Sequence, residues 1–186
     1  MEIDNIMNQL VGKVCWGVLS GPPNASHIHL YLGEKIKNEK SLPKKLPYEL
    51  DKYDGEYHLG VFCEWRLQSN GHVITGASEP NNLDGPLVKG LKRIINKKIT
   101  NVELTDECGD LTVFFDDIYL KIFCNYTGNE DPEYFEQDET NWFLSFRGAI
   151  IIEVQQGCNI VVSKKPSADV DFMSQWGKIF CTTWEK

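Results

Sequence analysis

Period-two alternation of apolar residues, repeated in short runs with turn signals between them, leaves this chain few options beyond antiparallel sheet. In Lys13–Leu19, Val14, Trp16 and Val18 alternate against Cys15, Gly17 and Leu19, which reads as a strand buried on both faces. Further on, Ile28, Leu30 and Leu32 take one face and His27, His29 and Tyr31 the other. Tyr57–Gln68 reads as one long strand. Tyr57, Leu59, Val61, Cys63, Trp65 and Leu67 share a face, and His58, Phe62, Glu64 and Arg66 lie opposite. Asn70-Gly71 supplies the positive φ of a tight hairpin turn. Strand patterns recur at 73–76, 99–105, 111–115, 118–126, 141–146, 149–154, 158–163 and 178–184.

Helical spacing is rarer. Ile3, Ile6, Met7 and Leu10 predict a short opening helix stopped at Gly12. Leu87, Val88, Leu91, Ile94 and Ile95 make an apolar stripe that predicts a substantial helix over 84–96. Asp84 or Gly85 can cap its start beside Pro86, and Lys97 and Lys98 suit its end. A further short helix is expected at 168–176, before Gly177. The expected fold is therefore α+β, mainly antiparallel β-sheet of about ten strands, with the 84–96 helix packed on one face. All 186 residues fit one domain, 1–186, carrying a lysine- and proline-rich surface loop at 34–55 and an acidic loop at 128–141.

Apolar content of 41% is enough for a sizeable core. The longest apolar runs fall well short of the ~20 residues a membrane helix needs. The opening "MEIDNIMNQLVGK" carries acids rather than a basic leader, so the expectation is a cytoplasmic protein with no membrane contact. The six cysteines, at 15, 63, 108, 124, 158 and 181, form no C-x-x-C pair and mostly fall inside apolar patterns. They are expected to be thiols, with Cys63 and Cys124 shielded until unfolding. Cys108, at a turn between carboxylates, is the exposed one, and its neighbours blunt it as a nucleophile.

Net charge is −8, and three of the nineteen basic residues are arginine. Such a field repels phosphate backbones, which argues against nucleic acid, and steers the chain toward a basic protein partner.

The opening "LVGKVCWGV" with "IHLYLGEKI", then "FCEWRL", "LDGPLVKGLKRI", "GDLTVFF", "LKIF" and "NWFLSF", resembles a family of small bacterial proteins of unassigned function. Its members open with a Leu-x-Gly-x-x-Cys-Trp element and share a late Trp-x-Leu strand. The resemblance spans most of the chain outside 34–55 and the acidic stretch. It implies a bacterial cytosolic setting and brings no activity, cofactor or catalytic residue with it.

No nucleophile-elbow, P-loop, zincin or Rossmann signature occurs, so no catalytic residue and no cofactor is assigned. His27 and His29 project from one strand face and could begin a metal site, with His58 or Glu64 as a third ligand if the strands neighbour each other. A solvated polar strand face explains them as well. His58, Glu64 and Arg66 share a strand face on which Glu64 and Arg66 could pair, or line a cleft as acid and clamp, or form part of an ordinary sheet face. Six of the ten residues Glu130–Glu139 are acidic. Within that run Tyr134 and Phe135 are typical interface anchors. Glu130, Asp131, Glu133, Tyr134, Phe135, Glu136, Asp138 and Glu139 are thus the candidate partner-binding residues. The expected function is non-enzymatic binding of a basic protein, most concretely by an immunity protein that neutralises a nuclease toxin. A small-ligand or metal module on the His27/His29 face, and an enzyme around His58, Glu64 and Arg66, are the alternatives.

Overall fold

The computed structural model describes residues 3–20, 27–37, 48–80, 82, 84–105, 108–124 and 140–162. Among them twelve strands form two antiparallel sheets. In chain order these are β1 (Val14–Ser20), β2 (Ile28–Lys37), β3 (Tyr53–Val61), β4 (Glu64–Ser69), β5 (His72–Gly76), β6 (Lys97–Lys98), β7 (Asn101–Leu104), β8 (Leu111–Phe115), β9 (Ile118–Phe123), β10 (Thr140–Phe146), β11 (Ala149–Gln155) and β12 (Asn159–Val162). The larger sheet has seven strands in the order β12-β11-β10-β3-β2-β1-β6, and the smaller has five in the order β5-β4-β9-β8-β7.

One face of each sheet is buried in a shared apolar core. Leu30, Leu32, Leu59, Val61, Trp142, Leu144 and Ile152 line it from the larger sheet, and Trp65, Leu67, Val113, Leu120 and Ile122 from the smaller. The contact is more than apolar: Trp142 of β10 donates its indole N–H to the Gly109 carbonyl, 2.7 Å away, two residues before β8. A buried indole N–H left without an acceptor would cost about 1–3 kcal/mol, so this bond fixes how the layers meet.

The expected continuous strand over 57–68 is instead two strands in different sheets. Phe62 and Cys63 form the corner, and both backbone N–H groups donate to the Asn141 carbonyl, at 2.8 and 3.2 Å. Each sheet still obeys the alternation, so Tyr57, Leu59 and Val61 enter the core from one side and Trp65 and Leu67 from the other.

The substantial helix predicted for 84–96 is corrected. The α-helix α3 covers only Pro86–Leu91, with Gly85 at its N-cap, and a 3₁₀ turn follows over Lys92–Ile94. The predicted stripe is buried, through Leu87, Val88, Leu91 and Ile94. The helix ends early because the sheet captures the next residues: Asn96, at φ +65°, donates to the Cys15 carbonyl, and Lys97–Lys98 pair with β1. Gly90 also serves packing, since a Cβ there would overlap the Thr75 methyl. The opening helix is present as α1 (Ile3–Met7), continued by a 3₁₀ turn to Leu10.

The surface loop predicted over 34–55 is corrected at both ends, and its residues 38–47 lie outside the described residues. Strand β2 runs to Lys37, α2 covers Tyr48–Lys52, and β3 begins at Tyr53. Likewise Thr140 and Asn141 belong to β10 rather than to an acidic loop. The rest of that stretch, the predicted helix at 168–176 and the predicted strand at 178–184 lie outside the described residues. The expectation of six thiols fails at Cys108, which is disulfide-bonded, while Cys15, Cys63 and Cys124 are buried thiols. Alternating patterns identify cysteines that pack as apolar residues; Cys108 stands in a turn, where no such pattern applies. No helix among the described residues is long and apolar enough to cross a membrane.

Candidate functional site

The face of the larger sheet that points away from the core is where the chain gathers its chemistry. Strands β2 and β3 pair with Tyr31 opposite His58 and His29 opposite Gly60. This register places the two imidazoles diagonally, within reach of each other. His29 Nδ1 and His58 Nε2 are 3.0 Å apart, and each residue is only 7% exposed. Tyr31 stacks on His58 at 4.8 Å with planes 9° apart, and Phe143 closes the other side edge-on at 5.3 Å. Phe62 presents its edge to His29 at 5.6 Å and to His27 at 5.0 Å.

Gly60 makes this closure possible. It pairs with Phe143 on β10, and a Cβ at position 60 would overlap the Phe143 ring. Trp16, Leu19, Tyr31 and Leu50 continue the apolar cover toward β1 and α2. At the rim, the Lys35 ammonium stands 5.1 Å from the centre of the Trp16 ring and pairs with Glu49 at 2.8 Å.

Burial holds His29 well below the ordinary imidazole range, and the neighbouring His58 and His27 add to the effect. Burial lowers His58 too, against an opposing pull from Asp54. Half-buried His27 is lowered by burial. Tyr31 is pushed up by burial and then by Asp54, so its phenol stays protonated. The contact is therefore a neutral N–H···N hydrogen bond in which one ring donates and the other accepts. A second proton would set two N–H groups against each other in an apolar surround.

The structure thus brings together His27, His29 and His58, three of the sequence candidates for a metal. The two facing nitrogens of His29 and His58 are engaged with each other, and no group of three or more His, Cys, Asp or Glu among the described residues is placed to hold a metal ion. It separates His58 from Glu64 and Arg66. These two lie on β4, on the outer face of the smaller sheet, where Arg66 stacks its guanidinium 4.8 Å from the Phe123 ring. The core lies between, because the strand breaks at Phe62–Cys63. The partner-binding candidates Glu130, Asp131, Glu133, Tyr134, Phe135, Glu136, Asp138 and Glu139 lie outside the described residues.

Spacing alone does not reveal Phe143 and Gly60 as parts of this cluster. The available signal is a glycine inside an alternating strand, which marks close approach of another group. Nor does it reveal Glu56, whose carboxylate meets Lys13 Nζ at 2.7 Å and the Glu34 N–H at 3.3 Å. Burial alone would raise the Glu56 pKa, but the ammonium and the N–H outweigh it and hold the carboxyl below its usual value.

Fold and site together define a two-sheet antiparallel protein with a covered imidazole–aromatic face. The chain matches no protein-family model, no curated protein and no solved structure.

Proposed function

We propose that this is a non-enzymatic binding protein whose acidic, aromatic stretch 130–139 engages a basic protein, most concretely as a cytoplasmic immunity protein that neutralises a nuclease toxin. The observation that carries the reading is how that stretch is tethered. It lies between Cys124, whose N–H donates to the Asp110 carboxylate at 2.7 Å, and Asn141, whose carbonyl holds the corner between the sheets. Trp142, fully buried, follows at once. Six acids and two aromatic rings within ten residues thus belong to a segment that leaves the described framework at Cys124 and rejoins it at Thr140. Fixed ends lower the ordering cost of binding, and the net charge of −8 favours encounter with a cation-rich surface.

The test is binding of a basic protein encoded beside this gene, followed kinetically. Amides at Glu133, Glu136, Asp138 and Glu139 slow association and flatten its salt dependence. Tyr134→Ala or Phe135→Ala speeds dissociation, by about 2 kcal/mol if the ring is a hot spot. Unchanged kinetics in both sets would remove the reading.

A further inference from the structure

Cys63 and Cys124 stand beside two of the connections by which the chain passes between the sheets, β3 to β4 and β9 to β10. Strands β4 and β9 pair with Glu64 opposite Phe123, so one step further along the same register Cys63 faces Cys124. Directly opposed residues in an antiparallel pair have Cα atoms about 4.5–5.5 Å apart, inside the disulfide range of about 4.4–6.8 Å. Both are thiols, and both are buried, at 4% and 5% exposure. The sulfurs are in contact. The Cys63 thiol is hydrogen-bonded to Cys124, and the Cys124 thiol donates in turn to the Gly109 carbonyl at 3.1 Å. That carbonyl also accepts from Trp142, so the pair sits at the junction of both layers.

We propose that Cys63 and Cys124 are a latent redox pair, which a small hydroperoxide converts to a disulfide that ties the β3–β4 and β9–β10 connections together. One sulfur, as thiolate, attacks the O–O bond of hydrogen peroxide. An S–O bond forms, the O–O bond breaks, and the leaving hydroxide takes a proton to become water. The second thiol then attacks the sulfenic sulfur. The S–S bond forms, the S–O bond breaks, and a second water leaves with the remaining proton. Two thiols and one peroxide become one disulfide and two waters, with two electrons passing from sulfur to oxygen. The hydrogen bond to Cys124 and then burial push the Cys63 thiol up, which makes the reaction slow compared with an exposed thiol. Cys15 is the internal control: it is fully buried, pushed up to about 12 by burial, and its thiol donates only to the Gly17 carbonyl at 3.6 Å.

The experiment treats the native full chain with hydrogen peroxide, quenches by alkylation in urea, and maps the peptides by mass. The expected result is a peptide linking Cys63 to Cys124 while Cys15 stays a thiol, with a higher melting temperature than untreated protein. The link closes a long loop of chain, which is the source of the stabilisation. In Cys63→Ala, which removes the second thiol, Cys124 is expected to proceed to sulfinic acid. Any of three wild-type results overturns the proposal without a variant: both thiols unreacted while Cys15 or the urea-unfolded chain oxidises, sulfinic acid on either cysteine without a link, or a link from either to a different cysteine.

Discussion

The outer faces of the two sheets come from the same alternating pattern and end in opposite environments. On the larger sheet, His29, Tyr31, His58 and Phe143 are buried, neutral and in ring-to-ring contact. On the smaller sheet, Arg66 is exposed and Lys121, Tyr119 and Phe123 are half-buried, with the cations resting on the rings. A strand face opposite the core is thus not solvent-facing by default. What decides is whether another element lies over it, as Leu50 of α2 does for Trp16 and Tyr31. The covered face tolerates only neutral imidazoles, whereas the open face keeps full charges.

The sharpest way to break the contrast is one substitution made on both faces. Phe143→Ala removes a ring 3% exposed and is expected to cost about 3–5 kcal/mol, the usual range for a buried phenylalanine. Phe123→Ala removes a half-buried ring that serves mainly as a seat for Arg66 and is expected to cost clearly less. Urea unfolding of the two variants measures the gap, and equal losses would mean that both faces are covered alike.

A smaller effect tests the closure of the covered face alone. Gly60→Ala drives a methyl into the Phe143 ring, an overpacking expected to cost about 1–3 kcal/mol. In the Phe143→Ala background the same change should cost little, so the double-mutant cycle reports the pair directly. An undiminished cost there would place the strain in the backbone instead.

Alternation makes the sheet legible in the sequence, because side chains on a strand must choose between two faces. It identifies the core residues Ile28, Leu30, Leu32, Leu59, Val61, Trp65 and Leu67. It does not show that the chain changes sheets at Phe62–Cys63, since a corner between two sheets keeps the same apolar periodicity on either side. The pattern therefore groups His58 and Glu64 on a face they do not share. In β1 a bulge between Cys15 and Gly17 shifts the register. Trp16 consequently lies against Tyr31 on the outer face, while Val18 packs against the core. A bulge has no sequence signature as plain as Asn70-Gly71, whose positive φ values are both present. The apolar stripe overstates the length of α3 because it measures burial, while the competing claim of β1 on Lys97–Lys98 is a long-range effect. The imidazole pair is half legible: His27-x-His29 is visible, but its neighbour across the ladder depends on register.

Acid sharpens the comparison further. The folded pKa values of His29 and His58 lie below the ordinary value of 6.5. The unfolded chain therefore binds more protons just below that pH, and stability rises with pH there. The imidazole contribution is fully present above about pH 6.5 and is lost as pH falls toward the folded values. Glu56 acts in a lower window. Its depressed carboxyl contributes above the ordinary value of 4.5, and that contribution is lost as pH falls through its folded pKa. Urea midpoints should thus begin to drop just below neutrality. In a His29→Asn/His58→Asn variant this first decline should shrink to the part that half-buried His27 carries, and the Glu56 decline should remain. Persistence of the first decline at full size would assign it to other groups.

The smallest expected effect lies on the open face. Arg66 and Lys121 are directly opposite each other on β4 and β9, an arrangement of like charges that destabilises a sheet. Each cation is offset by a ring: Arg66 lies 4.8 Å from the Phe123 centre and Lys121 Nζ lies 5.7 Å from the Tyr119 centre. Exposed cation–π contacts are worth about 0.5–1 kcal/mol, similar in size to the repulsion, so the two nearly cancel. Lys121→Gln is therefore expected to change stability by no more than about 0.5 kcal/mol in either direction. Its salt dependence should be clearer than its size. Salt screens the repulsion in the parent, so raising ionic strength should stabilise the parent relative to the variant. A salt-independent loss well above that size would show that Lys121 is held in a packed surround, and that the smaller sheet is covered as the larger one is.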